Sequence, residues 1–139
     1  MKFKQFGNKF IVRLEKGEEI VAALTKFCQE QEILLGTVSG IGATNQAIIG
    51  LFKTDQKEYI PQEFTGDYEL TSVAGNISRK NGEVYLHLHA TLADQNNIAY
   101  GGHLTSAMIS ATFEAVLEKI DGPIDRQFDQ AVGLNLFKI

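Results

Sequence analysis

A mostly β domain carrying one main helix is what this sequence predicts, on three observations. Thirteen glycines against two prolines in 139 residues imply many tight turns between strands. Strand-period segments fill most of the chain, and residues 18–32 alone keep clear helical spacing. An Asn81-Gly82 pair stands between two strand patterns, a strong short-range hairpin signal. Hydrophobic residues at 44% and charged residues at 22% lie in the ordinary globular range, and the length suits a single domain over 1–139.

In chain order, Phe3, Phe6, Phe10, Ile11, Val12 and Leu14 surround Gly7-Asn8 and read as an opening strand or hairpin. Lys2, Lys4, Lys9, Arg13 and Lys16 cluster here against Glu15. Lysines that blunt an exposed strand edge are the preferred account, over an arm that contacts phosphates. After Gly17, Glu18 and Glu19 suit the positive end of a helix, and Ile20, Leu24 and Phe27 follow helical spacing to about Glu32. Cys28 on that helix reads as core packing.

From Ile33 the period changes. Ile33–Val38 reads as a buried strand, Ser39–Thr44 as a turn and Ala47–Phe52 as a second strand. The glycine-rich turn lacks both the Gly-Lys-Ser/Thr ending of a phosphate loop and the third glycine of a dinucleotide fingerprint. Tyr59–Phe64, with Pro61, reads as a short edge strand, Tyr68–Ser78 as another broken at Gly75, and Glu83–Leu92 as its partner across the hairpin. Residues 107–120 fit either period. Leu134–Ile139 reads as a closing strand.

Thirteen Lys and Arg against 17 Asp and Glu give a net charge of -4, the wrong sign for a protein whose whole surface tracks nucleic-acid phosphates. The single cysteine cannot form an internal disulfide and suits a reducing, cytoplasmic setting. No apolar run reaches the length of a membrane helix.

All three histidines fall in one window, as His87-Leu88-His89 and Gly101-Gly102-His103. On a strand, side chains two apart share a face, so His87 and His89 present two imidazoles together. The Asp94–Asn97 segment can turn the chain back, and Gly101-Gly102 can let the backbone approach closely enough to aim His103 at the pair. Three imidazoles on rigid strands make a site for zinc or a similar divalent ion, with a fourth position open to water or a small anionic ligand. Glu114 is a weaker candidate, as a partner of a ligand or a catalytic acid/base, if its segment lies beside this strand.

Leu86-His-Leu-His-Ala-Thr-Leu-Ala-Asp94 followed by Gly101-Gly-His-Leu104 resembles the signature of the plants-and-prokaryotes-conserved (PPC) domain. Gly36–Ala43, Ala111–Glu114, and Arg126 with Val132-Gly-Leu134 are similar to further blocks of that family. The resemblance implies an α+β domain around a twisted, largely antiparallel sheet, a homotrimer, and a strand over 107–120. The family is commonly described as DNA-binding, since in plants the domain follows AT-hook motifs; no such hook stands in this chain. The fold also resembles that of acetolactate decarboxylase, whose zinc is held by three histidines, and His87, His89 and His103 are the positions onto which such a site carries over. Three roles follow: a trimeric, metal-binding regulatory module with a DNA-binding label, a zinc-dependent enzyme acting on a small carboxylate or carbonyl substrate, or a structural trimer whose histidines are incidental.

Overall fold

The computed structural model describes residues 1–139. Its elements are β1 Lys2–Phe6, β2 Lys9–Glu15, α1 Ile20–Glu30, β3 Gly36–Lys53, β4 Glu58–Lys80, β5 Glu83–Ala93, β6 Ala99–Lys119, β7 Arg126–Asp129 and β8 Leu134–Phe137. Six strands form one antiparallel sheet in the order β1-β2-β6-β3-β4-β5, and the end of β5 pairs back onto the start of β6. The strands β6, β3, β4 and β5 therefore close into a ring, while β7 and β8 form a separate two-stranded sheet.

Two hairpins follow their turn chemistry. Gly7, at φ +59°, joins β1 to β2. Asn81 and Gly82 both adopt positive φ between the paired Lys80 and Glu83, the conformation a two-residue hairpin turn needs to match strand twist. At the start of α1, the Glu19 carboxylate accepts the backbone N–H groups of Val21 and Ala22, which satisfies donors left free by the first turn. Ile20, Leu24, Phe27 and Cys28 form the buried face of the helix. They belong to the same core as Val12 and Leu14 of β2, Val73 and Ile77 of β4, Leu88 and Leu92 of β5, and Phe113 and Leu117 of β6. Burial pushes the Cys28 thiol up to about 12, so it is packed as a small hydrophobe. No helix is long and apolar enough to cross a membrane.

The turn expected over Ser39–Thr44 does not exist, since β3 runs through it unbroken. Its glycines serve close packing. A Cβ on Gly40 would lie 2.6 Å from the Phe113 ring and 2.8 Å from the Ala115 Cβ, and one on Gly42 would lie 2.8 Å from the Phe113 Cα. The strand bends by shifting register at Gly40/Gly42 and at Thr44/Gln46. Buried Thr44 closes the second irregularity by donating to the Met108 carbonyl at 2.6 Å.

Likewise Tyr59–Phe64 and Tyr68–Ser78 are parts of one strand, β4. Pro61 falls in the half of β4 that pairs with β3 alone, where a missing donor is tolerated. Ile33 precedes β3, and its N–H donates to the Cys28 carbonyl at the end of α1. Residues 107–119 are strand, within β6, which begins already at Ala99. The short strand β7 had no counterpart in the sequence patterns.

Candidate metal centre

In β5, Leu88, Ala90 and Leu92 point into the core, and period two leaves His87 and His89 on the opposite face. His89 stands directly across from His103 in the β5–β6 pairing. On its other side His103 faces Gly50 of β3. The ring centroids lie 5.3 Å apart for His87 and His89, 5.2 Å for His87 and His103, and 5.6 Å for His89 and His103. One ligand nitrogen from each lies within 4.8 Å of the others.

Gly102 is the glycine that permits this approach, because a Cβ there would come within 2.7 Å of the Gly50 carbonyl oxygen. At Gly101 an added Cβ would meet only ordinary contacts at 3.6 Å. Tyr59 braces the third histidine: its hydroxyl donates to the His103 carbonyl at 3.3 Å and bonds Thr105 Oγ1 at 2.7 Å, while its ring meets the imidazole edge-on.

Burial, with added repulsion from His103, Arg126 and His89, lowers the His87 pKa to about 4. Burial and then His89 lower that of His103 as well. Both rings are thus neutral at neutral pH, the form in which imidazole binds a metal. The donor set, three nitrogens with no acid among them, suits zinc or a similar divalent ion. When bound, such an ion supplies a Lewis-acid centre; the chain's own contribution is to hold the three rings and shape the space before them.

That space is a cavity of about 720 Å³ between the histidine face and β8 with the preceding Gly133, with His87, His89, His103, Tyr59, Tyr85 and Arg126 in its wall. Glu114 is not there. It lies eleven residues along β6 from His103, so a rise of about 3.3 Å per residue puts it roughly 36 Å away along the strand. Exposed, it faces Arg13 on β2 and Ile41 on β3 and lines a different depression with Glu69. The expectation that Glu114 neighbours the histidines is corrected by the length of β6, which no periodicity could show.

Arg126 is the residue that site reasoning passed over. Only 8% exposed, it donates from Nε to Ser78 Oγ and from Nη1 to the Asn135 carbonyl, both at 2.8 Å, and from Nη2 to Asn76 Oδ1. Its guanidinium stacks on Phe137 at 4.2 Å and lies 5.1 Å from Tyr85. Its sole sequence signal was membership in one block of the family resemblance.

A family model described as the Plants and Prokaryotes Conserved (PCC) domain matches residues 1–121. The chain belongs to that family. Among solved PCC-like structures, one from Bacteroides thetaiotaomicron, described as a candidate DNA-binding protein, is 38% identical. The match covers 99% of this chain and 96% of that one, with a TM-score of 0.96. A metal-containing protein from Archaeoglobus fulgidus is 34% identical over 99% of both chains, with a TM-score of 0.88. The bifunctional protein GlmU of a Synechococcus strain is 31% identical over 126 residues, which cover 88% of this chain; the PCC chain spans about a fifth of that relative, 19% of its length. Acetolactate decarboxylase from Bacillus subtilis subspecies spizizenii shares the fold at a TM-score of 0.57 and 13% identity, over 79% of this chain and 52% of that one.

Proposed function

We propose that this PCC-domain chain is a metal-dependent binding module that holds one divalent ion, zinc by preference, on His87, His89 and His103. The observation that carries the reading is the convergence of three imidazole nitrogens within 4.8 Å of one another. Two of the rings are kept neutral by their surroundings. Support also comes from a relative of similar length that is described as metal-containing. Three protein ligands leave a position for water or a small anionic or carbonyl-bearing ligand, drawn by an ionic charge that imidazoles do not cancel.

The module works as a homotrimer. Ile11 of β2 and Val116 of β6 oppose each other in register, both are exposed, and Ile41 on β3 is 62% exposed. One helix cannot cover both faces of the sheet, and apolar side chains left exposed on three neighbouring strands are what further copies of the chain would cover.

A second reading is an enzyme in which the ion polarises a carbonyl or activates water. The cavity of about 720 Å³ before the histidines favours it, being of the size that encloses a small molecule. DNA binding, the description carried by the Bacteroides relative, ranks behind both. Of the five basic residues near the start of the chain, Lys2 and Arg13 share the one carboxylate of Glu15 and Lys9 pairs with Glu118, while Lys4 and Lys16 have no carboxylate partner, so a local excess of positive charge stands on a chain whose net charge is -4.

The deciding experiment is elemental analysis of the purified protein followed by calorimetric zinc titration of the metal-free form. Wild type is expected to take up one ion per chain, and His87→Ala, His89→Ala and His103→Ala each to lose it while staying folded. Stoichiometric zinc binding that survives all three substitutions would place the ion elsewhere.

A further inference from the structure

A buried charge is ordinarily paired, because its desolvation costs several kcal/mol unless an opposite charge offsets it. Arg126 is 8% exposed and has no carboxylate partner. Its three protein acceptors are a hydroxyl, a carbonyl and an amide oxygen, all uncharged. The nearby Asp125 is taken by Arg79 in a two-bond pair at 3.1 and 2.9 Å. Aromatic faces at 4.2 and 5.1 Å ease the cost without neutralising the charge.

A guanidinium has five N–H donors, of which three are used, leaving two. Arg126 also lines the same cavity as the three histidines, and none of the cavity's lining residues is acidic. The cavity wall therefore carries a cation with two donors that the protein does not use and no counter-charge. We propose that Arg126 is the anion-recognition residue of this cavity and receives the carboxylate of a small hydroxy or keto acid.

A carboxylate suits it because two oxygens match two spare donors. A phosphate, with three acceptor oxygens and nearly twice the charge, would leave more of itself unpaired against a fork of two donors. The hydroxy or keto oxygen rests on the proposed function, in which an ion on the imidazoles offers a position for a second oxygen. Ser78, Asn76 and Asn135 fix the plane of the guanidinium, so the acid enters a preset fork.

The test uses glycolate, lactate, pyruvate and 2-oxoglutarate, each beside its primary amide, titrated calorimetrically into zinc-loaded wild type and Arg126→Gln. At least one acid is expected to bind wild type about tenfold or more tightly than its amide, and Arg126→Gln to retain zinc while losing that preference. Acid and amide binding alike, no acid binding at all, or a folded Arg126→Gln with the wild-type preference would overturn the assignment. If Arg126→Gln does not fold, the acid-over-amide comparison on metal-free wild type, where no ion can supply the preference, decides alone. The metal reading is scored separately by the zinc titration. Should wild type hold no zinc, the same acids are titrated into the metal-free protein, where the preference for acid over amide upholds Arg126 and its absence overturns it.

Discussion

His87 carries the largest electrostatic burden of any titratable group in the cavity. Desolvation and three cationic or potentially cationic neighbours hold its pKa near 4, against an ordinary value of 6.5. In the metal-free protein the unfolded chain therefore takes up a proton at His87 near pH 6.5, while the folded chain resists it until about pH 4. Between those values the unfolded state binds more protons, so stability rises with pH across the window and is flat above it on this account. Melting temperatures in a chelator should fall as pH drops from about 6.5 to 4 in wild type, and less steeply in His87→Gln. Equal slopes for the two proteins would remove His87 as the cause. The residue scale also shows what spacing conveys. His-x-His on a strand announces a shared face by itself, whereas Arg126 and Glu114 needed coordinates, one because it folds back beneath β4 and the other because β6 carries it away.

Element by element, close backbone contact helps to position the histidines. Gly75 of β4 pairs with Leu88, and a Cβ there would meet the His87 carbonyl and come within 2.8 Å of the Leu88 Cα. Gly75→Ala must push β5 away from β4, at a cost of roughly 1–3 kcal/mol as for other overpacked sites. It should also weaken zinc binding, although the residue touches no imidazole. Denaturant unfolding and the zinc titration read the two effects. Unchanged zinc affinity in a destabilised variant would mean that the histidine geometry does not depend on the β4–β5 spacing. The glycines of β3 show why turn composition misled at Ser39–Thr44: glycine lets backbones approach as readily as it lets them turn. Nothing local distinguishes the two uses, and the partner strand that decides, β6, lies some 70 residues away.

For the whole molecule, the exposed apolar side chains on β2, β3 and β6 and the acidic charge give two expectations. Light scattering at micromolar concentration should report about three times 15.4 kDa, and Val116→Asp, which puts a charge among those side chains, should lower that mass. A monomer in wild type would show that they form no interface. A trimer would carry 3 × (-4) = -12, so duplex DNA should be repelled at long range. Binding to random duplex at physiological salt should be weaker than the roughly 10⁻⁴–10⁻⁶ M of non-specific binders. A salt-resolved titration showing tight, steeply salt-dependent binding would restore DNA as the partner.

The sequence by itself determined the hairpin at Asn81-Gly82, a strand or hairpin about Gly7, the helix and the acids at its start, the shared face of His87 and His89, and the PCC family. These are properties of neighbouring residues, set by φ/ψ preference, by strand and helix period, or by contiguous motif. Only the tertiary structure decided that β3 and β4 run unbroken, that β5 closes onto β6 to set His103 opposite His89, and that Arg126 joins them while Glu114 does not. Those outcomes depend on which strands pair and how far each extends. That is settled by close packing between segments distant in the chain, where no local pattern carries the information.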